Sequence, residues 1–187
     1  MLDTAARLFY ARGVHEVGMD ELVRETGLGK ATVYRLYPAK DVLVGAYLNR
    51  LSDQILGAID RDSTAAPTPA DALHRVLAAV QADVSRPGFR GCPFNNASIE
   101  YDDATHPART AARTYRSALH DRLFALARRM LPGREADAAT LAGRLAVLVD
   151  GAYTNAAHLG AHGPAASGLM LANELVDRTA TATAELQ

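Results

Sequence analysis

Residues 18–40 read GMDELVRETGLGKATVYRLYPAK, and the rest of the chain is arranged around them. Met19, Leu22 and Val23 follow helical spacing and stop at Gly27-Leu28-Gly29. A shorter helical pattern of Ala31, Val33 and Tyr34 then runs into Pro38. Two short helices joined by a glycine-bearing turn are the sequence form of a helix-turn-helix, whose second helix enters the DNA major groove. From Leu28 to Lys40 the only charges are Lys30, Arg35 and Lys40, all positive, with Tyr34 and Tyr37 among them. A small basic, hydroxyl-bearing surface of this kind suits phosphate oxygens.

The stretch GLGKATVYRLYPAK, followed by Asp41-Val42-Leu43, resembles the helix-turn-helix signature of the TetR family of bacterial transcription regulators. The resemblance extends upstream through Leu2-Asp3-Thr4-Ala5-Ala6-Arg7-Leu8-Phe9 and Gly13. It implies an all-α protein of about nine helices. Residues 1–45 would be a three-helix DNA-binding domain, and residues 46–187 a helical effector-binding and dimerisation domain. It further implies that Lys30, Ala31 and Thr32 meet base edges and phosphates, that Tyr34 meets a phosphate, and that Lys40 holds a phosphate beside the next helix's N-terminus. Arg35 is the expected guanine reader, because a guanidinium bonds O6 and N7 together. Tyr37 belongs to the same surface. Leu36 stands at a frequently polar position, where it either reads a thymine methyl or packs.

Two positions depart from the pattern. Gly18 occupies a helix cap where the family usually has Ser or Thr, so a hydroxyl contact to phosphate is lost while the cap itself is tolerated. The family also carries a basic arm ahead of the first helix, where Met1 here directly precedes Leu2. Such an arm adds phosphate or minor-groove contacts, so the affinity expected from these residues is a lower bound.

Composition agrees with the helical reading. Of 187 residues, 49% are hydrophobic, with Ala and Leu prominent, and runs rich in Val, Ile and Thr are few. No apolar run approaches the roughly twenty residues that span a bilayer, and no signal-peptide pattern opens the chain, so a cytoplasmic location is expected. Cys92, the single cysteine, excludes an intramolecular disulfide. The net charge of −1 is far from the usual basic footprint of a DNA binder. Over residues 1–50, seven Lys/Arg stand against six Asp/Glu, a balance of +1. Any DNA binding must therefore rest on local charge.

Beyond the motif, apolar periodicity predicts helices over 2–12, from Asp41 to a break at Ser63–Pro69, from Pro69 to before Arg86, around Pro93, from Pro107 to Leu131, over Ala138–Leu159, and after Pro164. The last two carry small residues (Gly143, Ala146, Gly151) that permit close approach. The resemblance assigns dimerisation to them, with Leu141, Leu145, Leu148, Ala152, Leu171 and Leu175 as candidates. Their alternative use is the chain's own core. Two copies supply two half-sites, which a lone recognition helix needs for usable specificity.

The resemblance also implies a pocket for a small-molecule effector. Cys92, Phe94, Asn95, Ile99, Tyr115, Leu119, Tyr153 and His158 are candidates for its lining. Cys92 is read as a small buried hydrophobe in preference to a reactive thiol. Arg109, Arg113, Arg116 and His120 form a basic stripe, read as a solvated helix face in preference to an anion site. His158 and His162 stand four apart, but Gly160 and Gly163 end the helix there, so no metal or cofactor is expected. An enzyme would depend on Cys92 with His106, since no phosphate-binding or nucleophile-elbow motif is present. The leading expectation is a homodimeric repressor that binds a palindromic double-stranded operator and is released by an effector. The alternative is a helical sensor or interaction protein with weakened DNA binding. Repression and activation are equally compatible with these residues.

Overall fold

The computed structural model describes residues 1–184, which form nine helices and no strand. They are α1 (Leu2–Arg12), α2 (Met19–Thr26), α3 (Lys30–Leu36), α4 (Lys40–Ala65), α5 (Pro69–Val84), α6 (Pro93–Ser98), α7 (Pro107–Met130), α8 (Glu135–Leu159) and α9 (Pro164–Ala184). Among the described residues no helix is long and apolar enough to cross a membrane.

The helix ends follow local chemistry. Thr68 and Asp71 form a reciprocal capping box at the start of α5, where Pro69 takes the first helical position. Helix α4 runs two residues past the start of the expected break at Ser63–Pro69. Thr64 Oγ1 donates to the Asp60 carbonyl at 2.9 Å, and the helix stops only as Pro67 approaches. Helix α8 begins at Glu135, three residues before the expected Ala138. Glu135 and Asp137 place negative charge in its first turn, and Arg134 Nε donates to Asp137 at 2.8 Å.

The chain divides into two compact units: residues 1–54 with 92–116, and residues 55–91 with 117–184. The boundary expected at residues 45/46 lies inside α4, and the unit holding α1–α3 also takes in α6 and the first part of α7.

In the first unit, Leu8, Phe9, Val14, Val17, Leu22, Val33, Leu43 and Leu48 form the core, with Phe9 and Tyr47 rings 6.0 Å apart. Phe94 is buried and stacks on Tyr115 with ring centroids 3.8 Å apart. In the second unit, α8 and α9 pack on each other and on α5. Leu73 and Leu77 of α5, Leu145 of α8, and Leu169 and Val176 of α9 are all buried there. His74 pins α5 to α9 through Asn173 Oδ1 (2.7 Å) and Asp177 Oδ1 (3.0 Å).

Candidate nucleic-acid interface

The turn between α2 and α3 is built by glycine. Gly27 adopts the left-handed conformation (φ 66°, ψ 6°), which a residue with a Cβ takes only at a steric cost. Thr26 Oγ1 donates to the Val23 carbonyl at 3.0 Å and accepts the Leu28 N–H at 3.4 Å, so the turn's polar groups are met locally. Leu22 of α2 and Val33 of α3 are both fully buried and set how α3 lies on the unit. Helix α3 ends where Tyr37 turns extended before Pro38.

With Val33 inward, the other residues of α3 are largely in solvent. Ala31, Tyr34 and Arg35 are exposed, and Thr32 and Tyr37 half-buried. Arg35 has no hydrogen-bond or ion-pair partner among the described residues. Lys30 is different. Its Nζ lies 2.8 Å from Asp20 Oδ1 and 5.8 Å from the Tyr34 ring centroid. The hydrogen bond to Asp20, the attraction of that carboxylate and, after it, Tyr34 raise the Lys30 ammonium's pKa, and Lys30 lowers that of Asp20 in return. This pair is largely in solvent, where water screens it. Half-buried Lys40 donates to the His15 carbonyl at 3.3 Å, which tethers the start of α4 to the loop after α1. The structure thus brings the seven expected DNA-contacting residues onto α3 and its exit, with Arg35 as the cation left unengaged.

A support that the sequence did not suggest lies behind this surface. The half-buried Glu100 carboxylate accepts the Val14 N–H (2.9 Å) on one oxygen and the His15 N–H (2.7 Å) on the other, which also lies 2.6 Å from His15 Nδ1. Burial pushes this carboxyl up, but the two backbone donors and His15 together outweigh it and leave the pKa below the ordinary value. Tyr101 stacks on His106 with centroids 3.4 Å apart. Burial first, then the Asp41 and Glu100 charges, push the Tyr101 phenol up to about 12. His106 is itself buried; its Nδ1 accepts the Ala108 N–H at 3.2 Å, and its Nε2 faces Asp41 Oδ1 at 3.4 Å. No periodicity or motif marks these residues.

The basic stripe of α7 is exposed at Arg109, Arg113 and His120 and half-buried at Arg116, and its arginines are hydrogen-bonded. Arg109 donates to the Tyr101 carbonyl (3.0 Å), Arg113 to the Ala104 carbonyl (3.3 Å) and Arg116 to Asn95 Oδ1 (2.7 Å). The irregular segment before α7 leaves carbonyls without helical donors, and Arg109 and Arg113 supply them.

The expected effector-lining residues fall in both units. In the first, Cys92 caps α6 and is half-buried, Phe94 and Tyr115 are stacked, Asn95 is bonded to Arg116, and Ile99 is 77% exposed. In the second, Leu119 is half-buried, Tyr153 donates to Asp83 at 2.9 Å, and His158 is exposed. The second unit also has an open groove of about 320 Å³ lined by other residues, among them Leu131, Arg134, Leu141, Arg144 and Arg178.

Of the residues expected to pair two copies, Leu141, Leu145 and Ala152 are buried within the chain's own packing. Leu148 and Leu175 are half-buried and Leu171 is 44% exposed. Val147 and Met170 were not anticipated, and they are the most exposed large apolar side chains within α8 and α9 apart from Leu159 near the end of α8.

Comparison with known proteins agrees with this geometry. Residues 1–47 match the profile described as "Bacterial regulatory proteins, tetR family". An uncharacterized HTH-type transcriptional regulator of Mycobacterium tuberculosis is 38% identical over 50 residues, 27% of this chain and 25% of that protein. The HTH-type transcriptional activator FasR of Mycolicibacterium smegmatis is 33% identical over 82 residues, 44% of this chain and 36% of that protein. The matched residues thus span only about a quarter to a third of these curated relatives. A crystal structure of a TetR-family transcriptional regulator from Streptomyces coelicolor superposes with a TM-score of 0.87 at 29% identity, covering 96% of this chain and 93% of that one.

Proposed function

Because the chain is a member of the TetR family of bacterial regulatory proteins, we propose that it is a sequence-specific transcription regulator. It binds a palindromic double-stranded DNA operator as a homodimer, represses transcription, and is released by a small-molecule effector. The observation that carries the DNA reading is α3 itself. A helix anchored by one buried valine holds an unpartnered arginine, a threonine and a tyrosine toward solvent, with a lysine at its exit. Phosphate contacts by Lys40 and Tyr34 set register, and Arg35 reads guanine. Lys30 exchanges Asp20 for a phosphate on binding.

The second copy is supported by arithmetic of charge. A balance of +1 over residues 1–50 makes one reading head weak, and two-fold pairing through α8 and α9 doubles the contacts. The effector acts as any ligand does on a two-state protein, by binding one state better than the other. Activation is the second reading, favoured by the similarity to the activator FasR. Mobility-shift titration against the DNA flanking the chain's own coding region tests the proposal. Saturable binding that weakens steeply with salt and outcompetes random duplex is expected. Equal affinity for every duplex, or none at low salt, overturns it. A reporter fused to the bound promoter then separates repression from activation.

A further inference from the structure

We propose that Leu36 is a specificity-determining residue that reads the methyl group of a thymine in the major groove. The inference rests on the DNA-reading function proposed above and deepens it. Leu36 follows Val33 by three residues, about 60° round the helix, at the edge of the buried side as α3 ends. Val33 is fully buried and Leu36 is 53% exposed. The core beneath α3 is therefore filled without it.

Single exposed leucines are ordinary on protein surfaces, but this one is not isolated. Nine large apolar side chains are exposed among the described residues, and four of them, Leu28, Tyr34, Leu36 and Val42, fall within residues 28–42. That window also holds Lys30, Arg35 and Lys40. Apolar groups set among cations match a surface that meets phosphates at its edges and base edges between them. The position within α3 narrows the partner further. Leu36 follows Thr32 by four residues, so the two share one side of the helix, and Arg35 stands next to them. In the major groove each base pair offers donors and acceptors, and thymine alone among the four bases adds a methyl group. A leucine can neither donate nor accept, so thymine is the base it can favour.

The test starts from a duplex selected by the full chain out of a random-sequence library. Each thymine is then replaced in turn by deoxyuridine, which removes the methyl and leaves every hydrogen-bonding group. The wild-type chain is expected to lose about fourfold in affinity per half-site at one thymine position, the size of one buried methyl-like group. Leu36→Ala should bind both duplexes equally, with little change in circular dichroism and Tm because the residue is more than half exposed. Leu36→Gln should move the preference at that position toward adenine, which a Gln amide bonds at N6 and N7. Indifference of the wild type to deoxyuridine at every position overturns the proposal, and that arm needs no variant. A deoxyuridine effect that persists in Leu36→Ala overturns it as well, since another residue then reads the methyl. Failure to select any duplex refutes the DNA-reading function itself, and this inference with it.

Discussion

Glu100 and His15 are 85 residues apart in the chain, yet the Glu100 carboxylate accepts the His15 backbone N–H at 2.7 Å and lies 2.6 Å from its Nδ1. The same carboxylate accepts the Val14 N–H at 2.9 Å. The loop between α1 and α2 has no regular partner for these donors, so one distant side chain holds the approach to the reading helix. Because Glu100's pKa is lowered in the folded chain, its contribution to stability is present above the ordinary glutamate value of about 4.5 and is lost as pH falls through the lowered value. Glu100→Gln keeps the shape but turns an acceptor into a donor, leaving one backbone N–H unmet at a cost of about 1–3 kcal/mol. Thermal unfolding should show a drop of about 2–4 °C for each kcal/mol at neutral pH. The gap between variant and wild type should narrow as the pH falls through the lowered Glu100 value. A gap that does not change with pH would mean the carboxylate charge is not what matters.

Arg35 and Lys40 should fail differently. Arg35→Ala should relax preference at particular base pairs, at about 1–3 kcal/mol for each lost bidentate contact. Lys40→Ala should weaken all sequences alike and reduce the salt slope by about 1 per reading head. Affinities measured across a salt series, on a selected duplex and its point variants, distinguish the two. An Arg35→Ala protein whose footprint is unchanged at every base would remove the guanine assignment.

Two glycines of α4 predict opposite outcomes from the same substitution. A Cβ at Gly45 would stand 2.9 Å from the Pro107 Cβ, a contact that real Cβ atoms do not make. Gly45→Ala should therefore destabilise, by about 1–3 kcal/mol for overpacking against a rigid ring, reduced by its gain in helix propensity. At Gly57 the Cβ would meet only the tip of Arg61 at 3.3 Å, which can swing away. Gly57→Ala should stabilise by about 0.5–1 kcal/mol. Urea titration of the two variants gives the signs directly.

If α8 and α9 pair two copies, the exposed apolar side chains are where the second copy sits. Val147 is 71% exposed and Leu171 44%, so charged replacements leave the chain's own core intact. Val147→Glu with Leu171→Lys should convert a dimer to a monomer in light scattering with little change in circular dichroism, and should lower operator affinity. A variant that stays dimeric places the pairing surface elsewhere.

The reading head was legible because its information is local. Gly27 at the turn, Val33 as the inward residue and Pro38 as the stop are each read from neighbours within four residues. The basic stripe of α7 is largely exposed, as its spacing suggests, but its partners were not legible, for the opposite reason. Its spacing is a solvated face's spacing, but Arg109, Arg113 and Arg116 find carbonyl and amide oxygens of residues 95–104. Nothing in helical periodicity records which carbonyls an irregular segment leaves without donors. The candidates for pairing two copies on α8 suffer from a similar ambiguity. A helix apolar on more than one face does not reveal which leucines its own chain uses, and Leu141, Leu145 and Ala152 are used internally.

By itself the sequence determined the helical class and the helix-turn-helix, since periodicity, capping and turn chemistry act over a few residues. Tertiary structure decided the rest. Folding paired Asp20 with Lys30 and left Arg35 unengaged, set Glu100 against the loop at Val14 and His15, and put Leu36 rather than Leu141 in solvent. These outcomes depend on which distant groups arrive to satisfy a buried donor or cover an apolar side chain. Spacing along the chain carries no record of that.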